Sequence, residues 1–258
     1  MGFDYKIVFD TIAGDNSAKT PLINQVEFAQ ISVSSDEFGL SEEETTLHNY
    51  YYLVAREGIN ESPTIADSVL VRYKGSLLNG TDFDGSIANP VWFDLAQIQA
   101  PQQGARGFTE AMSNFKKGGD VIDNGDGTVT VEGYGIGAMF LPSGLGFYNT
   151  IQPEIPAYTP LIFTVDLFTL EVTDHDGDGI PSILEDVNGD GYLYNDNTDL
   201  AQEEESTSLA RFSDFLDRDD DGDGTPTRDE IEIDEEGNVS FPDTDGDGTP
   251  DYRDTDNS

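Results

Sequence analysis

Three stretches of the chain repeat one spacing of acidic residues, and that spacing decides what the last third can fold into. DHDGDGIPSILE (174–185), DDDGDGTPTRDE (219–230) and DTDGDGTPDYRD (243–254) each carry Asp at positions 1, 3 and 5, Gly at 6, Pro at 8 and an acid at 12. Alternate carboxylates of this kind converge on one hard cation, the glycine permits a sharp turn, and the terminal acid closes the ring of oxygens. The candidate ligands are Asp174, Asp176, Asp178 and Glu185 in the first loop, Asp219, Asp221, Asp223 and Glu230 in the second, and Asp243, Asp245, Asp247 and Asp254 in the third. The position 7 carbonyls of Ile180, Thr225 and Thr249 supply a backbone oxygen to each. An all-oxygen donor set selects Ca2+ over zinc or copper. A fourth stretch, DVNGDGYLYNDN (186–197), keeps Asp186, Asn188 and Asp190 but ends on Asn197, and reads as a weak or shared site.

Charge makes the cation a structural need. Residues 172–258 hold 29 acidic and 4 basic side chains, net −25, while residues 1–171 hold 23 and 8, net −15. With few large apolar residues, the acidic part cannot offset its chain entropy and self-repulsion without counter-charge. The total of −40 excludes a nucleic-acid or anionic-membrane partner, since those surfaces are themselves polyanions. No cysteine is present, which removes disulfides, thiolate zinc sites and cysteine nucleophiles, and neither His48 nor His175 shares an obvious motif with a serine. No run approaches the roughly 18 apolar residues of a membrane span, and MGFDYKIVFDTIAGD has no basic n-region or apolar h-region. The expectation is a cytosolic protein, or one whose targeting segment is absent from this sequence. Proline at position 8 replaces the apolar residue of an ordinary EF-hand loop. The repeats therefore resemble thrombospondin type 3 and related bacterial calcium repeats more than paired helix-loop-helix sensors.

Between residues 68 and 171 the pattern is mostly of period two, with Val69, Val71 and Tyr73 on one face and Leu161, Phe163, Val165 and Leu167 on another. These predict half-buried antiparallel strands. Residues 107–116 instead place Phe108, Met112 and Phe115 at helical spacing, and Gly118 and Gly119 stop the turn. The segment 122–137 predicts a hairpin turning near Asn124 and Gly125. Alternation in DYKIVFDTI suggests a strand, and SSDEFGLSEEETT an exposed acidic loop. The fold class expected is α+β: an antiparallel half-barrel sheet wrapped on one short helix, followed by a loop-rich calcium-stabilised module.

Five successive blocks, SVLVRYKGSLLNGTDFDGS, PVWFDLAQ, ARGFTEAMSNFKKGG, MFLPSGLGFYN and IPAYTPLIFTVDLFTLE, resemble an FKBP-type peptidyl-prolyl isomerase in order and kind. The resemblance divides the chain into an N-terminal extension (1–49), an isomerase domain (50–171) with a hairpin insertion at 119–137, and the acidic module (172–258). It implies an aromatic-walled hollow between sheet and helix. Carried across residue by residue, that hollow comprises Tyr73, Phe83, Asp84, the backbone N–H of Ala105, Phe108 in place of the usual indole, Phe147 with Tyr148 beside it, Ile155 and Phe163. Val91 stands where the family commonly has phenylalanine, Gly104 and Ala105 replace Val-Ile, and Phe147 lacks the tyrosine hydroxyl, so the expected activity is weak. The resemblance also implies proline-containing polypeptide substrates, no cofactor for catalysis, and a monomer. Likeness to bacterial isomerase lipoproteins with such tails implies a cell-envelope or secreted location, with a signal and any lipidated cysteine outside this sequence. The alternative is a non-catalytic peptide-binding protein on the same fold.

Overall fold

The structure is a computed structural model, described for residues 6–40, 44–100, 103–126, 128–205 and 211–255. The chain separates into two compact units, Met1–Glu171 and Val172–Ser258. The first contains eight strands: β1 (Glu27–Ser34), β2 (Thr45–Arg56), β3 (Ser68–Leu77), β4 (Asp82–Asp94), β5 (Val121–Asp123), β6 (Val129–Val131), β7 (Gly135–Leu141) and β8 (Leu161–Glu171). Six of them form one antiparallel sheet in the order β1-β2-β7-β8-β3-β4. The alternating residues Val69, Val71 and Tyr73 of β3 and Leu161, Phe163, Val165 and Leu167 of β8 all point into one core. Helix α2 (Arg106–Met112) lays Phe108, Ala111 and Met112 on that face. Phe115 follows the helix in a turn and is also buried, its ring lying where a Cβ on Gly137 would have to sit.

Several expectations need correction. A second short helix, α1 (Leu95–Gln99), follows β4 and is capped by Asp94, whose side chain accepts from the Gln97 N–H. Within the N-terminal extension, β1 pairs along its whole length with β2 and so joins the sheet, and Val33 packs with Tyr50 in the main core. The expected strand in DYKIVFDTI falls partly on residues 1–5, outside the described residues, and residues 6–11 form no regular element. Within the acidic loop, Glu37 is buried against Arg106 at 2.5 Å, and Arg106 also reaches Glu110 at 3.2 Å; residues 41–43 lie outside the described residues. The inserted hairpin is β5 and β6 alone, turning after Asn124 with Gly125 at φ +76°, and it ends before β7, which is an interior strand of the sheet.

The opposite face of the sheet carries a buried Arg72–Asp166 pair at 2.9 Å, with the Arg72 guanidinium also donating to the Tyr134 hydroxyl and stacked on Phe168. Desolvating this pair is tolerable because both partners keep several hydrogen bonds.

The second unit has little regular structure: α3 (Leu200–Glu205), α4 (Thr227–Glu230) and the two-residue strands β9 (Glu232–Ile233) and β10 (Val239–Ser240). Among the described residues its buried apolar side chains are Ile180, Ile231 and Tyr252 in one small cluster, with Tyr192, Leu193 and Phe215. The acidic loops supply the rest of the order. In all four, glycines at positions 4 and 6 take left-handed φ: Gly177 and Gly179, Gly189 and Gly191, Gly222 and Gly224, Gly246 and Gly248. Side chains at positions 1, 3 and 5 then accept from backbone N–H groups inside the turn, as when Asp174 accepts from Gly177 and Gly179. Proline at position 8 starts a single helical turn in three of them, at Pro181, Pro226 and Pro250.

Candidate active site and metal-binding loops

The hollow expected between sheet and helix is present. A cavity of about 190 Å³ is lined by Tyr73 of β3, Phe83, Asp84 and Phe93 of β4, Ile98 of α1, the Gln103–Ala105 segment, Phe108 of α2, Phe147 and Phe163 of β8. It adjoins a cleft of about 200 Å³ bounded by Phe83, Asp84, Phe147 and residues 152–155, including Ile155. Five rings meet edge to face in sequence: Tyr73 on Phe93 at 4.8 Å, Phe93 on Phe108 at 5.6 Å, Phe108 on Phe163 at 5.2 Å, and Phe163 on Phe83 at 5.6 Å. Such pairs are worth about 0.5–1.5 kcal/mol each beyond area burial and leave apolar ring faces toward the cavity. Gly75 makes room for this wall, since a Cβ there would lie 2.5 Å from the Phe83 ring.

Polar groups are few. The Tyr73 hydroxyl donates to Asp84 at 2.6 Å, and Asp84 also accepts from the Gly85 N–H. Burial, reinforced by that carboxylate, raises the Tyr73 phenol well above its ordinary value, so it stays a neutral donor. Ala105 is the N-cap residue of α2, in extended conformation, and among the described residues nothing accepts its N–H.

Of the nine residues that the resemblance assigns, eight line the cavity or the cleft, and Tyr148 does not. It has φ +46°, packs on Phe38 and Tyr158, and is not among the residues that line the cavity or the cleft. Val91 pairs with Val71 and packs, half-buried, against the core, and the phenylalanine of the wall is Phe93, two residues on. The sequence reading missed Phe93, although the PVWF step carried it, because residues 87–90 bulge out between the Val71–Val91 and Tyr73–Ser86 pairs and break the count. It also missed the flank of the site, where Glu37 and Phe38 border Phe147 and Gly104.

In the second unit, carboxylates that the spacing nominated come within 4.8 Å of one another as three triads: Asp174–Asp176–Asp178, Asp219–Asp221–Asp223 and Asp243–Asp245–Asp247. Ile180 and Thr225 follow as position 7 residues whose N–H groups bind the position 5 carboxylate, as Thr249 does. Glu185 is buried near Asp178, and Glu230 and Asp254 close the short helical turns of their loops. In the fourth loop Asp186 and Asn188 accept from Gly191 and Asp190, and Asp190 from Tyr192. There the acid at position 11, Asp196, accepts from Asn188, whereas Asn197 turns to Glu203 and the Phe212 carbonyl. A further group, Asp199, Glu203 and Asp217, matches none of the loop positions. His175 does meet a serine, Ser182 at 2.8 Å, but Ser182 is fully buried and braces the first loop.

The donor set fits a hard divalent cation. Oxygens of Asp176, Asp178, Glu185, Asp186, Asp196, Asp219 and Asp221 are buried with no protein donor, a condition that costs about 1–3 kcal/mol per group unless something else satisfies it. Burial, then mutual repulsion, pushes Asp176 up to about 7 and Glu185 up to about 10.

Comparison with known proteins agrees with this division. Residues 60–124 match the family model described as FKBP-type peptidyl-prolyl cis-trans isomerase, and residues 175–242 match one described as BamM C-terminal. The FKBP-type isomerase FkpA of Escherichia coli K12 is 29% identical over 161 residues, 62% of this chain and 48% of its own length. A probable FkpA of Neisseria meningitidis is 38% identical over 78 residues, 30% of this chain and 26% of that protein. The crystal structure of E. coli FkpA covers 47% of this chain and 48% of its own, at 29% identity and a TM-score of 0.36. The chain thus spans about half the length, or less, of these relatives.

Proposed function

Since the chain belongs, through residues 60–124, to the FKBP-type peptidyl-prolyl cis-trans isomerase family, we propose that its first unit catalyses rotation of prolyl peptide bonds in proteins. The five-ring cavity with one unpaired amide donor at its rim carries this reading. Amide resonance sets a barrier near 18–20 kcal/mol, and rotation needs only a site that binds the twisted amide more tightly than the planar one. The pyrrolidine ring sits on Phe108, with Tyr73, Phe93 and Phe163 around it, in a setting that favours the less polar twisted state. The Ala105 N–H holds a substrate carbonyl in register. Asp84 keeps the Tyr73 hydroxyl oriented and exchanges no proton with the substrate. Full-length protein in calcium should accelerate isomerisation of a prolyl peptide above the solvent rate. A second reading, peptide binding without turnover, is favoured by one observation: no hydroxyl from Phe147 or Tyr148 faces the cavity. Binding without acceleration would select it.

The second unit, in this proposal, is a calcium-stabilised module. Calcium would supply the counter-charge for the loops, held by the three aspartate triads together with Glu185, Glu230 and Asp254. Loops of the extracellular type bind at roughly 10⁻⁴ to 10⁻³ M, which supports a location in the cell envelope or outside the cell. No helix among the described residues is long and apolar enough to cross a membrane.

A further inference from the structure

Asp220 occupies position 2 of its loop, where a side chain points away from that loop's own cation. In the first loop position 2 is His175, whose backbone N–H donates to the Ser182 hydroxyl at position 9. Asp220 repeats the backbone contact, its N–H donating to the Thr227 hydroxyl at position 9. In the third loop Thr244 donates both its N–H and its hydroxyl to Asp251, again position 9. The three loops share this backbone contact between positions 2 and 9, and the position 2 side chain is His175, Asp220 or Thr244. Asp220 is 1% exposed, and neither of its carboxylate oxygens has a protein partner.

One of those oxygens lies beside carboxylates of the first loop. Asp220, Asp178 and Glu185 each offer a carboxylate oxygen within 4.8 Å of the other two, and all three residues are at least 98% buried. Both oxygens of Glu185 and one of Asp178 also lack partners. Three buried carboxylates with one oxygen each drawn together, most of their oxygens without a protein donor, form an arrangement that a bound cation stabilises. Ca2+ takes six to eight oxygens and accepts bidentate carboxylates, which Glu185 and Asp220 can both provide.

We propose that Asp220 is a ligand of the first loop's calcium, completing a buried site with Asp178 and Glu185. This rests on reading the second unit as calcium-binding, and adds that one ion pins residues 174–185 to the segment around 220. The second loop then serves two ions, its own through Asp219, Asp221 and Asp223 and its neighbour's through Asp220.

The test is calcium stoichiometry and affinity of the full chain, by equilibrium dialysis against calcium alone, for wild type, Asp220→Asn, Glu185→Gln, Asp223→Asn and the pairwise doubles. Asp220→Asn should lose one ion per chain or weaken one site at least tenfold. Asp220→Asn with Glu185→Gln should then lose little more than either alone, whereas Asp220→Asn with Asp223→Asn should show both losses in full. A crystal grown with calcium should place an ion within about 2.3–2.6 Å of both Glu185 and Asp220, a readout independent of variant folding. Wild type that binds no calcium would overturn the module reading and this assignment together. Calcium binding in wild type that Asp220→Asn leaves unchanged, or an ion coordinated without Asp220, would overturn this assignment alone.

Discussion

Replacing Phe93 by alanine tests whether the cavity wall is the one described. The ring touches Tyr73 at 4.8 Å and Phe108 at 5.6 Å. At about 0.5–1.5 kcal/mol per aromatic pair, the truncation should lower stability by about 1–3 kcal/mol. The same ring faces the site proposed for the substrate proline, and losing one apolar wall contact in the transition state, at about 1–2 kcal/mol, predicts a five- to thirtyfold fall in kcat/KM. Line-broadening or protease-coupled measurement of prolyl exchange gives kcat/KM directly, and a thermal melt of the same samples separates stability from catalysis. Val91→Ala is the matched control, because Val91 packs against the core and is not among the residues that line the cavity. It should cost stability and leave kcat/KM within about twofold of wild type. Unchanged catalysis in Phe93→Ala, or an equal loss in Val91→Ala, would refute the assignment of the wall.

Glu37→Ala removes one of the two carboxylates paired with the buried Arg106, and should destabilise the first unit by about 3 kcal/mol, read as a shift of the denaturant midpoint. Chelating calcium near pH 8 should abolish protease resistance beyond residue 172 while Met1–Glu171 stays protected; undiminished protection of both units would sink the module reading. In chelator, acid should partly replace the metal. Burial, with neighbouring carboxylates adding to it, raises Glu185 to about 10, Asp220 to about 9 and Asp196 to about 7, so the folded unit binds more protons than the unfolded chain. The stability these groups lend is full below their ordinary range near 4 and is lost as pH rises through 7 to 10, and protection should therefore return between pH 8 and 5. With calcium the sign reverses, because protons compete for the same oxygens, and a calcium affinity that rose on acidification would contradict this.

Much of this was legible because it is local. Period two placed β3 and β8 with the right face inward, and the 1-3-5 aspartates with glycine at 6 placed the loops, since each pattern repeats within a dozen residues. What was missed depends on distant partners. Strand β7 holds Gly135 and Gly137, residues that weaken a strand signal, and they are there because Lys116 and the Phe115 ring press against the backbone. The helix ends at Met112, short of the expected 116, because the chain turns to bury Phe115. Phe93 was hidden by a bulge, and Asp220 by a partner some 40 positions back in the chain, about which no local spacing rule speaks.

The pairing of β1 along all of β2 bears on where this protein can be cut. A fragment beginning at residue 50, where the family resemblance starts, would keep only half of β2 and none of β1. It would lose Val33 from the core and Glu37 from beside Arg106, and would bare a row of unpaired N–H and C=O groups next to β7. Such an edge is a template for a second copy of itself. For this chain, a piece that keeps β1 paired with β2 begins upstream of Glu27, well before the stretch that matches the family model.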